Sequence, residues 1–287
     1  DMETVHHTEA AFEALLETGY RAISGKCMMD YGKGVPASLM EETNASIDES
    51  VTLLKKWHGA GEGRIEYAFA PRFVVSCTEA LLVKVRDLAA EYGVKVHTHA
   101  SENRGEIELV QRDRGMRNIQ YLKHLGLTGE NLILAHCIWL SDREKQILKQ
   151  KDLRVIHCPG CNHKAASGVA PVPEYLSSGI CVGLGADTGA CNDNLDMFRE
   201  MRLAALMQKI VHGPTVLTAE HVFRMATIDG ARALYLDHLT GSLEKGKRGD
   251  LVILNVPLEA QPFHYREAVS SVVYSMGNRD VDLTMVN

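Results

Sequence analysis

The sequence predicts an α/β fold whose economical closure is a (β/α)8 TIM-like barrel, and three observations predict it. From Gly19 onward, short apolar runs alternate with amphipathic segments, as parallel strands joined by helical crossovers do. The runs are nearly continuous in their apolar character, which suits strands buried on both faces. His99, His136, His157 and Asp187 fall at the C-terminal ends of such runs, where a parallel barrel displays its chemistry. An open doubly wound sheet is the alternative, and no Gly-rich phosphate fingerprint supports it.

The elements follow in order. Residues 8 to 19, T-E-A-A-F-E-A-L-L-E-T-G, read as a helix with Thr8 as its N-cap and Gly19 as its stop. Strand Y-R-A-I-S comes next, then a helix over 47 to 59 and strand I-E-Y-A-F-A-P over 65 to 71. Thr78 caps a helix that closes on Gly93 and leads into V-K-V-H-T-H, residues 94 to 99. Helical segments lie around 105 to 125, and Ser141-Asp142-Arg143-Glu144 opens another helix as a capping box. The remaining strands are 132 to 137, 154 to 159 and 181 to 187, which makes six in all. Long helices are expected over 195 to 210 and 218 to 236. Barrel residues 1 to 240 then give way to an appendage, 241 to 287, of turns and strands.

A 287-residue chain exceeds the usual single-domain length unless the fold is a barrel. No apolar run is long enough to cross a bilayer, so no membrane partner is expected. A net charge of −6, with acidic and basic residues interspersed, offers no cationic track for nucleic acid and suits a small, roughly neutral substrate. Seven cysteines and no visible signal peptide predict reduced thiols in a cytoplasmic protein, with homo-oligomerisation compatible. Cys158-Pro159-Gly160-Cys161 has C-x-x-C spacing, but no second pair completes a four-thiolate zinc site, so these thiols read as structural or incidental.

Side chains alternate along a strand, so His97 and His99 point the same way and sequence alone permits a chelating pair. Glu102, three residues past His99, lies where the chain turns out of the strand. That makes His99 and Glu102 partners at the strand mouth and leaves His97 deeper, as packing. His136 and Asp187 sit at matching positions on later strands. Imidazole nitrogens and a carboxylate suit zinc or another divalent transition metal such as Fe2+, which lowers the pKa of bound water. A nearby glutamate can then shuttle protons.

H-A-S-E-N-R (99 to 104), L-A-H-C-I-W-L (134 to 140), H-C-P-G-C-N (157 to 162), G-V-A-P-V-P-E (168 to 174) and G-L-G-A-D (183 to 187) together resemble the amidohydrolase superfamily. With C-N-D-N-L-D-M-F-R-E-M-R-L-A-A-L-M-Q-K (191 to 209), they resemble its branch of 5'-deoxyadenosine, methylthioadenosine and S-adenosylhomocysteine deaminases. The resemblance implies a metal-dependent-hydrolase barrel, here lacking its first strand or strands, with the appendage as the remnant of a small β-sandwich. It implies that His99 and Asp187 are metal ligands, and that Glu102, His136 and Asp187 are catalytic. Arg72, Glu102 and His136 would contact substrate, and His157 would support them.

The branch's first strand carries an H-x-H that supplies two further ligands, and no such motif precedes the first helix here. His6-His7 are adjacent and cannot replace it. N-H-K-A-A-S-G (162 to 168) and A-D-T-G-A-C-N-D (186 to 193) depart from the branch's usual wording, which bears on substrate choice. The expected activity is hydrolytic deamination of a 6-aminopurine nucleoside. Guanine deamination, suggested by Pro71-Arg72-Phe73, chloro-s-triazine hydrolysis and an inactive, metal-poor fragment are the alternatives.

Overall fold

The computed structural model describes residues 1–258, 261 and 263–287, and the chain forms two compact units, 1–135 with 141–153 and 136–140 with 154–287. In the first unit, β1 (Ala22–Ser24) and β2 (Cys27–Met28) both pair in parallel with β3 (Ile65–Pro71). One run of chain is thus split in two, and Gly25 shows why. A Cβ at Gly25 would lie 1.7 Å from the Ala68 carbonyl oxygen, so only glycine admits the close approach. β3 pairs in parallel with β4 (Lys95–Ala100), and β5 (Leu132–His136) follows β4 in the sheet, its last residue belonging to the second unit.

β3 and β5 are buried almost throughout, as predicted, whereas β4 alternates. Val96, Thr98 and Ala100 are buried, while Lys95, His97 and His99 share the half-buried face. The polar histidines break the apolar run on the face that the core leaves half-buried.

An aromatic stack organises the core of this unit. Phe12, fully buried on helix Thr8–Thr18, stacks on Trp57 at 5.6 Å and on Tyr67 of β3 at 5.7 Å. Tyr67 keeps its hydroxyl satisfied by Ser50 Oγ at 2.6 Å, and each buried ring contributes roughly 2–3 kcal/mol of transfer free energy. The helix start differs from expectation: His7, not Thr8, is the N-cap. Thr8 is buried and its hydroxyl donates back to the Thr4 carbonyl at 2.9 Å, so it is unavailable to cap. Gly19 ends the helix at φ +73°, as the sequence implied.

Helix Thr43–Trp57 begins earlier than expected because Glu42 caps it through the Ala45 amide. Helix Glu79–Tyr92 carries the predicted Thr78 cap and Gly93 stop. The Ser141–Glu144 capping box is present at the start of helix Asp142–Gln150. Glu144 is fully buried, and its carboxylate also accepts from Arg117 Nε at 2.6 Å, so one side chain caps a helix and anchors its neighbour.

In the second unit β6 (Arg154–His157) and β7 (Val182–Leu184) pair in parallel, with His157 opposite Leu184. The helix expected over 218 to 236 is broken into Ala219–Ala226 and Ile228–Ala233 at Thr227, which has φ −124° and ψ −106°. The Thr227 hydroxyl bonds back to the Phe223 carbonyl at 2.8 Å, competing with the backbone ladder there. β8 (Leu251–Leu254) and β9 (Val281–Met285) form an antiparallel pair. Helix Ala268–Tyr274, between them, was not foreseen. Among the described residues no helix is long and apolar enough to cross a membrane.

Candidate functional site

The ends of the parallel strands carry unusual backbone. Ser101 after β4, His136 at the end of β5 and Asp187 after β7 have φ of +53°, +69° and +64°. Non-glycine residues rarely adopt this left-handed region, and they persist there where surrounding bonds hold them.

In the first unit Glu106 supplies those bonds to the turn at Ser101, and Arg72 holds the neighbouring His99. The Arg72 carbonyl accepts from the His99 amide at 2.9 Å and lies 2.7 Å from His99 Nδ1. A ring that donates from Nδ1 carries its lone pair on Nε2, the arrangement found for metal-binding histidines. Phe73 meets the His99 ring edge-on at 5.9 Å, and the His97 ring stacks with it at 5.9 Å. His97 therefore does pack, but on a half-buried face and against His99 itself. The Arg72 guanidinium lies over Phe73, 5.2 Å from the ring centroid, with Nη1 3.5 Å from Met29 Sδ. The sequence reading gave Arg72 a substrate contact; its backbone oxygen also orients His99.

Glu102 sits in the turn after β4, half-buried. The Glu106 carboxylate accepts from the Glu102 amide at 2.7 Å, from the Ser101 amide at 3.2 Å and from the Asn118 side-chain amide. Asn103 Oδ1 in turn caps the helix Arg104–Arg114 through the Glu106 amide at 2.9 Å. Glu106 is 8% exposed; burial pushes its carboxyl above the usual range, while its backbone bonds pull the other way. This residue escaped the sequence reading, although a glutamate three residues after an Asn N-cap is a capping-box signal.

In the second unit the buried His136 ring has Nδ1 2.8 Å from Asn162 Oδ1 and Nε2 3.7 Å from Asp187 Oδ2. That second distance exceeds hydrogen-bond range, so the imidazole and carboxylate converge without bonding. Asp187 Oδ1 accepts from the Thr188 amide at 2.7 Å.

Glu200, 1% exposed and with its carboxyl pushed up by burial, ties the surrounding loops together. It accepts from the Gly160 amide and from Asn192 Nδ2, both at 2.8 Å, and Asn192 also donates to the Ala186 carbonyl at 2.6 Å. Helix Pro159–Lys164, which carries Asn162, and the loop that carries Asp187 are thereby fixed to one carboxylate. A Cβ at Gly160 would stand 2.3 Å from Glu200 Oε1, which is why glycine occupies the position.

His157, at the end of β6, is 1% exposed, and neither ring nitrogen has a hydrogen-bond partner among the described residues. Burial, reinforced by His163 and His136, lowers its pKa to about 3, so the ring stays neutral at ordinary pH. Within the second unit, the His136 imidazole, the converging Asp187 carboxylate and the buried His157 fit a divalent transition metal in donor type.

The chain belongs to the amidohydrolase family, which it matches over residues 1–287. It is 40% identical over 270 residues to a 5'-deoxyadenosine deaminase of Methanothermobacter thermautotrophicus, covering 94% of this chain and 61% of that protein. A 5-methylthioadenosine/S-adenosylhomocysteine deaminase of Moorella thermoacetica is 39% identical over 284 residues, 98% of this chain and 64% of its own. An adenosine deaminase from Xanthomonas campestris, solved with bound zinc, superimposes with a TM-score of 0.89 at 30% identity, over 98% of this chain and 62% of that one. The chain thus spans about three-fifths of the length of the curated relatives it matches.

Proposed function

We propose that this chain serves a hydrolytic deaminase of 6-aminopurine nucleosides of the 5'-deoxyadenosine, methylthioadenosine or S-adenosylhomocysteine type. One observation carries the reading. His136 Nε2 and Asp187 Oδ2 converge to 3.7 Å on strained strand ends, in a chain 40% identical to a 5'-deoxyadenosine deaminase.

His99 and Asp187 are the residues that would hold a divalent metal, with zinc favoured by the donor set and by the zinc-bound Xanthomonas structure. When bound, such an ion lowers the pKa of water towards neutrality and so makes a nucleophile available. Asp187 takes the proton from the attacking water. His136, with its tautomer set by Asn162, donates no proton to that carboxylate and orients the attacking oxygen from Nε2. Glu102 gives a proton to the ring nitrogen beside the amino-bearing carbon. Asp187 passes the proton it took from water to the amino group, the C–N bond breaks and ammonia leaves, and the remaining hydroxyl returns its proton to Glu102 as a carbonyl forms, so water and amine are exchanged in balance. Arg72 contacts the substrate.

The test is ammonia release from 5'-deoxyadenosine, methylthioadenosine, S-adenosylhomocysteine, guanine and a chlorotriazine by the zinc-loaded chain. Glu102→Gln should cut turnover by about 10²–10⁴-fold with bound metal unchanged. Full turnover in that variant would remove Glu102 from the mechanism. Faster release from guanine, or chloride release from the triazine, would overturn the substrate assignment.

A further inference from the structure

The second unit brings to Asp187 two thiols that the deamination chemistry does not use. Cys161 Sγ, Cys191 Sγ and an Asp187 carboxylate oxygen lie within 4.8 Å of one another. Cys161 is on helix Pro159–Lys164 and Asp187 on the loop after β7. Cys191 is on the four-residue helix Gly189–Asn192. Neither cysteine is in a disulfide; Cys161 is buried and Cys191 exposed. The C-x-x-C partner, Cys158, is not among the three converging donors. Its Sγ lies 3.9 Å from the Ile156 carbonyl and would be 3.3 Å from a Cβ at Gly185.

We propose that Cys161, Cys191 and Asp187 form a binding site for a thiophilic divalent cation such as Zn2+ or Cd2+, distinct from the hydrolytic ligand set but sharing Asp187. Tetrahedral zinc–thiolate geometry needs sulfurs about 3.8 Å apart, so closing the site from the observed spacing takes a shift of about 1 Å or less. Cys191, exposed on a single helical turn, can make that shift without disturbing the core. Two sulfurs and one oxygen select a soft ion over Mg2+ or Ca2+, and binding releases the thiol protons. Occupation also draws the Asp187 carboxylate from its place beside His136. A thiophilic ion in excess therefore slows turnover, a consequence that rests on the proposed deaminase reading, whereas the binding itself does not.

The experiment is titration of the reduced full chain with Cd2+, followed by the ultraviolet sulfur-to-cadmium charge-transfer band and by equilibrium dialysis. Wild type should develop a two-thiolate band. Cys191→Ser, at an exposed position, should lower it by about half per bound ion, because one of two thiolates is gone. The Cys161→Ser/Cys191→Ser double variant should abolish it. Cys158→Ser should leave it intact, as should Glu102→Gln and His99→Ala, which separates failure of this site from failure of the deaminase assignment. The absence of a band in wild type would overturn the proposal. So would a full band in the double variant, or loss of the band in Cys158→Ser, which would place the ion on the C-x-x-C pair.

Discussion

Acidification of the metal-free chain should expose His157 as a built-in cost. Its folded pKa of about 3 lies below the ordinary value of 6.5, so the unfolded chain takes up the proton first. The contribution to stability is complete above about pH 6.5 and is lost as the pH falls towards 3. The slope approaches about 1.4 kcal/mol per pH unit, so this ring alone removes about 2 kcal/mol between about pH 7 and about pH 5. His157→Leu is the reference. It deletes the titrating group and sacrifices no hydrogen bond seen among the described residues. Urea unfolding of both proteins, after chelation, at several pH values reads the difference. The stability of wild type relative to His157→Leu should fall by about 2 kcal/mol across that window, with the leucine variant nearly insensitive to this component. Parallel stability curves for the two proteins would refute the claim that His157 is held neutral by burial.

Other substitutions probe the scaffold around the site. Glu106→Gln turns a carboxylate oxygen 2.7 Å from the Glu102 amide into a donor facing a donor, and should cost about 1–3 kcal/mol in urea unfolding. It should also slow deamination by displacing the turn that carries Glu102; an unchanged midpoint with unchanged turnover would count against the positioning role. Gly160→Ala places a methyl group 2.3 Å from Glu200 Oε1, and thermal unfolding should register a loss of about 1–3 kcal/mol from overpacking. Phe12→Ala empties the stack between Trp57 and Tyr67 and should cost about 3–5 kcal/mol in chemical denaturation, with any residual folded protein retaining its metal affinity.

Much of the fold was legible because strand and helix signals are local. β3 falls where its apolar run predicts, and the Thr78 cap, the Gly93 stop and the Ser141 capping box all depend on residues within a few positions of one another. The errors came where a distant or competing bond intervened. Thr8 spends its hydroxyl on the Thr4 carbonyl, and Thr227 breaks a helix that its neighbours would continue. Of the candidate site, His99, Glu102, His136 and Asp187 could be selected from the sequence by residue type and strand-end position. Glu106, Glu200 and Asn162 were not, since as isolated letters they are ordinary helix residues.

The sequence by itself determined the chemical inventory and its periodic placement: imidazoles and carboxylates at the ends of apolar runs, within the amidohydrolase pattern. Tertiary structure decided which nitrogen of His99 and of His136 faces which oxygen, that His97 stacks with His99, and that Cys161 and Cys191 converge on Asp187. The physical reason is range. Periodicity and capping are set by neighbours along the chain, whereas tautomer, burial and convergence of donors depend on backbone carbonyls and side chains brought from far away in sequence. The Arg72 carbonyl on His99 and the Glu200 carboxylate on Gly160 are contacts of that second kind.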